Sequence, residues 1–267
     1  MEDTKILAGG QSLLSLMKLR LAAPKALIDI NGVAGLTDIK EEDGSILVGS
    51  MTRHDQLTQN ATIRSRIPLL ADAANVIADQ QVRDRGTIGG SLVHADPAAD
   101  LPTACKALGA TLTAVSREKS RTIAVDDFFK DYFTTTLEVG EIVTEIRIPI
   151  PKPGSGGSYL KLTKGHNDFA IVSVAAQLTF DDDFICRDSH IVLGGVASTP
   201  IHATETERRF RGRKLDSNLV REGAEKAAEG LNPVADFRVS AEHRIKMTKM
   251  LTVNAIERAI ERARGVV

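Results

Sequence analysis

Tryptophan is absent from this 267-residue chain and tyrosine occurs only twice, so an aromatic stacking platform for single-stranded nucleic acid is not expected. Cysteine is equally scarce: Cys105 and Cys186 stand far apart, without Cys-x-x-Cys or Cys/His spacing. Two isolated thiols make neither a disulfide framework nor a metal site, and they cannot hold an iron–sulfur centre that takes four thiolates. Neither sign of charge is in excess, with 34 basic against 35 acidic residues, which argues against a chain-wide basic face for nucleic acid. No run approaches the roughly 18 consecutive apolar residues of a membrane span, and Met1-Glu2-Asp3 is acidic where a secretory leader would be basic. A soluble cytoplasmic protein is the expectation. What remains is an ordinary globular composition, 42% hydrophobic and 26% charged, with chain enough for one large or two modest cores.

Short apolar runs at 5–8, 26–30, 36–39 and 45–49 read as strands, punctuated by the turn dipeptides Asn31-Gly32 and Asp43-Gly44. Thr52 is placed to cap a helix reaching Leu57, Pro68 opens a helix to about Asp79, and Pro97 opens another through Leu108. Between the last two, the polar stretch 83–90 reads as an interruption. Strands follow at 111–116, 121–125 and 142–148, with a turn at 126–129. The sharpest change of composition is Pro149-Ile150-Pro151-Lys152-Pro153-Gly154-Ser155-Gly156-Gly157-Ser158, a cluster of the kind that joins compact units. It divides the chain into expected domains at 1–153 and 157–267. Beyond it, 159–164, 170–180 and 184–193 read as strands, with Asp181-Asp182-Asp183 as a hairpin tip, and helices follow at 203–211, 217–230 and 242–264. Strands followed by helices give an α+β class.

The most informative feature is a pair of glycine turns almost eighty residues apart, Ala8-Gly9-Gly10-Gln11-Ser12 and Thr87-Ile88-Gly89-Gly90-Ser91. Glycine lets backbone N–H groups turn toward an anion and lets a phosphate approach the main chain, while the following serine adds a donor. A single Gly-Gly is most simply a bend; two within one domain fit a diphosphate held from both sides. Neither turn matches Gly-x-Gly-x-x-Gly or the phosphate loop that ends in Gly-Lys-Ser/Thr, which disfavours a nicotinamide site and a nucleoside-triphosphatase. A third pair, Gly194-Gly195, follows an apolar strand and reads as structural.

The segment Ala8-Gly9-Gly10-Gln11-Ser12-Leu13 with Leu16-Met17-Lys18-Leu19-Arg20, and the segment from Thr87-Ile88-Gly89-Gly90-Ser91 through Asp96-Pro97-Ala98-Ala99-Asp100-Leu101-Pro102, resemble the FAD-binding medium subunit of molybdenum hydroxylases. The resemblance is to the carbon monoxide dehydrogenase medium-subunit group, related to the flavin domain of xanthine dehydrogenases. It continues through Asp168-Phe169-Ala170 and Leu193-Gly194-Gly195-Val196 and covers essentially the whole chain. It implies an α+β fold: a two-part FAD-binding domain of the PCMH or vanillyl-alcohol-oxidase type, then a smaller C-terminal domain of a sheet with helices.

The same resemblance implies FAD as cofactor, with Ala8, Gly9, Gly10, Gln11, Ser12 and Leu13 as one wall and Thr87, Ile88, Gly89, Gly90 and Ser91 as the other. It implies Asp100 beside the ribityl or nearby flavin atoms, Lys161 near the cofactor, and Asp168 with Phe169 beside the isoalloxazine ring. Tyrosine is frequent at the Phe169 position in the family, so a flat apolar cover is kept and a hydroxyl lost. No side chain of this chain is expected to be catalytic, because the flavin carries the chemistry. His94, next to Asp96, is read as making local hydrogen bonds, and Arg83 and Arg85 as facing the phosphates, a partner or solvent. Implied partners are a large molybdenum-cofactor subunit and a small [2Fe–2S] subunit, assembled as a dimer of heterotrimers. The rival readings are a self-contained FAD-dependent oxidase or reductase, and a nucleotide-binding scaffold without activity. Members of the family carry roughly thirty residues more before the first turn; a strand and helix missing there would expose sheet edge and apolar surface and lower FAD occupancy.

Overall fold

The computed structural model describes residues 3–165 and 167–266. β1 (Thr4–Leu7) runs into the first glycine turn, the short helix α1 (Leu13–Lys18) follows, and β2 (Ala26–Asp29) returns parallel to β1, Thr4 beside Ala26 and Leu7 beside Asp29. None of residues 3–29 is buried, and Ile6, Leu14, Leu19, Leu21, Leu27 and Ile28 are exposed.

β3 (Ile39–Glu42) and β4 (Ser45–Gly49) form the hairpin that Asp43-Gly44 predicts, both tip residues at positive φ, the twist such two-residue loops require. The strand expected at 36–39 starts at Ile39 instead, because the Leu36 carbonyl accepts from the Met51 N–H at 2.7 Å in a loop contact. Six helices follow: α2 (His54–Gln59), α3 (Ala61–Arg66), α4 (Pro68–Asn75), α5 (Gln80–Arg83), α6 (Ile88–His94) and α7 (Asp100–Ala107). Pro68 opens α4 as predicted, though the helix stops at Asn75. Three expectations are corrected. Arg53, not Thr52, precedes α2, the Thr52 hydroxyl donating to the Thr37 carbonyl instead at 3.3 Å. The interruption expected at 83–90 narrows to 84–87, between the end of α5 and the start of α6: Asp79 caps α5, and Thr87 caps α6 by accepting from the Gly90 N–H. Pro97 lies before α7, because Asp96 Oδ1 accepts from the Ala98 N–H at 2.9 Å and Ala99 stays extended, an Asx turn that delays the helix.

β5 (Thr111–Val115), β6 (Ser120–Ala124), α8 (Val125–Phe128), β7 (Phe129–Asp131), β8 (Thr134–Thr135) and β9 (Ile142–Pro149) complete the first half. The antiparallel sheet β3-β4-β9-β5-β6 packs with the helices around a core that includes Ile46, Leu57, Leu70, Leu92, Leu101 and Ile146. The second half contributes β10 (Ser155–Leu162), β11 (Val172–Phe180), β12 (Cys186–Gly194), β13 (Ile201–His202), α9 (Thr204–Phe210), α10 (Ser217–Ala227) and α11 (Ala241–Ala263). β10 begins inside the glycine-rich stretch, four residues earlier than expected.

The antiparallel sheet β10-β11-β12-β13 is covered on both faces. On β11, Val174, Ala176 and Leu178 face a second core built with Leu251, Ala255 and Ile256 of α11, while Ala175 joins Tyr159 and Val192 in the first core against α4 and α7. That alternation follows the two-residue period of a strand. It explains why β11 is buried along nearly its whole length, the near-continuous burial of a strand with both faces covered. Arg262 of α11 closes the edge, donating to Asp72 of α4 at 2.6 Å and to the Gly157 carbonyl at 2.7 Å.

Candidate FAD site

The two glycine turns meet. Gly9 lies against the Arg85 carbonyl and Gly86 Cα, and a Cβ on Gly90 would stand 3.8 Å from the Ala8 side chain. They are nevertheless built differently. In the first, Gly10 adopts φ +75, and the N–H groups of Gly9, Gly10, Gln11 and Ser12 have no protein acceptor among the described residues. Gly9, Gly10 and Ser12 are half-buried and Gln11 is exposed, so an external acceptor can reach them, and consecutive main-chain donors ahead of a helix suit an anion.

In the second turn the four main-chain donors from Ile88 to Ser91 are already engaged. Ile88 N–H donates to Thr52 O at 3.0 Å, Gly89 N–H to Ser50 O at 2.8 Å, Gly90 N–H to Thr87 Oγ1 at 3.1 Å and Ser91 N–H to Thr87 O at 3.0 Å. Its glycines serve close approach: a Cβ on Gly89 would come within 2.6 Å of Ser50. This wall therefore offers the positive end of α6 and the Ser91 hydroxyl rather than free backbone donors. The charges beside the junction are cationic Arg53 and Arg85 with one carboxylate, Asp29, held below the usual carboxylate range chiefly by hydrogen bonds from Asn31. Arg83 is used otherwise, donating to the carbonyls of Ile77 and Ala78 at the end of α4. Free main-chain donors, a turn that tolerates no Cβ and flanking cations fit a diphosphate such as that of FAD.

Asp100 and Lys161 come together between the sheets. Lys161 Nζ donates to Asp100 Oδ2 at 3.0 Å and to the Val76 carbonyl at 3.0 Å, and the Tyr159 hydroxyl donates to Asp100 Oδ1 at 2.7 Å. The Asp100 and Lys161 side chains are 6% and 5% exposed. Burial pushes the Asp100 carboxyl up, and Lys161 and Tyr159 pull it back. Burial and the neighbouring carboxylate also raise the Tyr159 phenol, which keeps its proton and donates. Tyr159 was not among the expected site residues. The signal available for it was position: it alternates with Lys161 on a strand beside the apolar run of β11.

Asp168 accepts from the Gly165 N–H at 3.0 Å, and Phe169 is 56% exposed. This segment lies on the loop after α6, where Ala170 N–H donates to Ala98 O at 3.4 Å and Gly195 N–H to Pro97 O at 2.9 Å. Gly195, at φ +75, is the structural turn expected of it. His94 departs from expectation. It ends α6, its ring lies 5.2 Å from that of Phe133, and burial lowers its pKa. Among the described residues the imidazole makes no hydrogen bond to Asp96 and packs on Phe133 instead.

Among the described residues no group of three or more His, Cys, Asp or Glu side chains is placed to hold a metal, and no helix is long and apolar enough to cross a membrane. Residues 1–151 match the family described as FAD binding domain in molybdopterin dehydrogenase, and residues 157–259 match the CO dehydrogenase flavoprotein C-terminal domain. The 6-hydroxypseudooxynicotine dehydrogenase complex subunit alpha of Paenarthrobacter nicotinovorans is 38% identical over 98% of this chain and 89% of its own. The carbon monoxide dehydrogenase medium chain of Afipia carboxidovorans is 35% identical over 99% of this chain and 91% of its own. A solved carbon monoxide dehydrogenase from Hydrogenophaga pseudoflava, lacking the Mo-pyranopterin moiety of its cofactor, superposes with a TM-score of 0.95 at 36% identity, covering 98% of this chain and 91% of that one. With the glycine turns apposed and both family matches in sequence order, the chain belongs to the FAD-binding medium subunits of molybdenum hydroxylases, the carbon monoxide dehydrogenase flavoprotein family.

Proposed function

We propose that this chain is the electron-relay subunit of a molybdenum-containing hydroxylase or dehydrogenase. Electrons from iron–sulfur clusters of a small partner chain would pass through FAD to an external acceptor, with the molybdenum cofactor in a large partner chain and the three assembled as a dimer of heterotrimers. The observation that carries the reading is the row of unpaired N–H groups from Gly9 to Ser12, set against the start of α6 with Arg53 and Arg85 alongside. FAD, when bound, supplies reversible electron acceptance, and the protein supplies binding, orientation and electrostatics.

Within that division of labour the first turn would hold the diphosphate through its main-chain donors, with Ala8 and Leu13 flanking it. Thr87, Ile88, Gly89, Gly90 and Ser91 would form the opposite wall, Ser91 through its hydroxyl. Asp100, fixed from two sides by Tyr159 and Lys161, would present a rigid acceptor toward the ribityl. Asp168 and Phe169 would border the ring, the phenyl group covering it from water without adding a donor.

The test is an absorption spectrum of the purified chain between about 350 and 500 nm, with and without added FAD, followed by denaturation and identification of the released flavin. It is paired with co-purification from cells expressing candidate large and small subunits. FAD uptake together with capture of a molybdenum chain and a two-cluster chain is the expected result. A chain that reduces its own flavin with an organic substrate, in the absence of partners, would instead be a self-contained oxidase or reductase.

A further inference from the structure

The first glycine turn has no apolar anchorage of its own. Among the described residues the sheet β1-β2 pairs with no other strand, no residue from 3 to 29 is buried, and the first buried side chain after them is Ile30. The polar contacts that join this unit to the rest of the described residues converge on two side chains. Arg53 stands at the start of α2, a helix fixed to the first core by buried His54 and Leu57. Its Nη1 donates to the Arg85 carbonyl, the group that backs Gly9, and its Nη2 donates to Asn31 Oδ1 at 2.6 Å. Asn31 in turn donates through Nδ2 to the Ala8 carbonyl at 2.9 Å and to Asp29 Oδ1 at 2.5 Å. A bridge between Arg53 and Thr87 completes the connection. One guanidinium on a rigid helix start thus reaches the residue before Gly9 through Asn31, and the residue before Gly86-Thr87 directly.

We propose that Arg53 and Asn31 form a polar latch that sets the spacing between the two glycine turns and thereby governs how tightly the chain retains FAD. The latch rests on the FAD reading above and adds to it two positioning residues that lie in neither turn. The chemistry explains the residue types. A planar guanidinium offers donors in two fixed directions, so it can serve the Arg85 carbonyl and the Asn31 amide together, whereas a lysine ammonium is a single point charge on a flexible stem. The Asn31 amide both accepts and donates, which makes it a relay between the cation and the Ala8 carbonyl; an aspartate could accept from Arg53 but would confront that carbonyl with a second acceptor.

The experiment is FAD titration of the full chain by flavin fluorescence, with dissociation rates measured by dilution, for wild type, Arg53→Met, Arg53→Lys, Asn31→Ala and the double variant Arg53→Met/Asn31→Ala. Loss of charge-assisted hydrogen bonds at this junction should raise the FAD dissociation constant about tenfold or more in Arg53→Met and in Asn31→Ala. The double variant should be no weaker than the weaker single, since both break one connection. Arg53→Lys should resemble Arg53→Met, which separates positioning from simple attraction of the diphosphate by a positive charge. Thermal melting of the FAD-free variants by circular dichroism should stay at the wild-type temperature, because neither side chain belongs to either core; a melting shift that accounts for the affinity loss would make the role merely structural and overturn the latch. Wild-type affinity in Arg53→Met, or wild-type affinity in Arg53→Lys alone, would also overturn it. A wild-type chain that takes up no FAD removes the FAD reading itself, a result distinguishable because parent and variants then fail alike.

Discussion

The carboxylate of Asp100, on a helix of the first core, is held by Lys161 at 3.0 Å and by the Tyr159 hydroxyl at 2.7 Å, both from the first strand of the second sheet. With both ionic side chains almost wholly buried, each depends on the other for the solvation that water no longer gives. Lys161→Met should therefore strand a buried carboxylate and cost about 3–5 kcal/mol of stability. Asp100→Asn should cost less than Asp100→Ala, because an amide oxygen can still accept from Tyr159 and Lys161. Combining Asp100→Asn with Lys161→Met should recover part of the Lys161→Met loss. Urea unfolding of the four variants measures this, and strictly additive losses would show that the pair is not coupled.

The glycine turns allow an internal control. Gly89 has no room for a methyl group, with Ser50 at 2.6 Å from the Cβ site, whereas Gly32 faces open space and does not need positive φ. Gly9→Ala and Gly89→Ala should each part the turns and weaken FAD uptake by at least about tenfold, while Gly32→Ala should leave it unchanged. Gly9→Ala is the sharper case, since the new carbon would press on the main chain of Arg85 and Gly86, which cannot swing aside as a side chain can. Flavin fluorescence titration of the three variants decides it.

Two histidines give opposite pH dependences in separate windows. Burial works against the charge on His202, but hydrogen bonds and attraction from Glu207 and Asp126 outweigh it, so its pKa lies above the ordinary 6.5. The stabilisation is complete below the unfolded value and lost as pH rises through the folded one. Melting temperature should accordingly fall on going from about pH 6.5 to about pH 8.5, and this slope should flatten in His202→Gln. His54 is the reverse. Burial foremost, then Arg53 and Arg83, lower it to about 4, so the unfolded chain binds a proton that the folded chain refuses. Stability should decline as pH falls from 6.5 toward 4, with a shallower decline in His54→Gln.

Much of this organisation is legible locally. Asp43-Gly44 announces its hairpin, Pro68 its helix, and the paired glycines their two turns, because each depends on backbone freedom at the residues themselves. What sequence does not reveal comes from distant partners. Two donors of the second turn, the N–H groups of Ile88 and Gly89, are consumed by the carbonyls of Thr52 and Ser50, more than thirty residues upstream, so two turns alike in sequence differ in the donors they leave free. The start of α7 moves past Pro97 because Asp96 takes the Ala98 N–H, a local competition that helix signals alone do not weigh. The burial of Lys161 follows from a helix layer on each face of the sheet, which only the assembled fold supplies.

Asp236 shows the same principle at the far border of the site. It accepts from Arg238, from the N–H groups of Arg238 and Val239, and from Arg244 at 3.2 Å. Although burial opposes it, Arg238 and the N–H groups of Arg238 and Val239 hold its carboxyl down at about 2. Arg244, 5% exposed at its side chain, also donates to the carbonyls of Ile171 and Gly195, and Arg238 reaches the Phe169 carbonyl at 3.5 Å. The two arginines thus fasten the main chain on both sides of Ala170 to the start of α11. Arg244→Met would leave the carbonyls of Ile171 and Gly195 without this donor and take one of several partners from Asp236, at a cost of about 3 kcal/mol. Arg238→Met, removing a partly exposed ion pair with Asp236 and a long contact to the Phe169 carbonyl, should cost about 1 kcal/mol. The consequence should be local before it is global: limited proteolysis of Arg244→Met should cut within 163–171 under conditions that leave wild type and Arg238→Met intact, because loss of the clamp lowers the free energy of opening that segment. Cleavage that appears only at the global melting temperature would mean the segment is held by the sheet alone, and Arg244 would then contribute to folding without positioning Phe169.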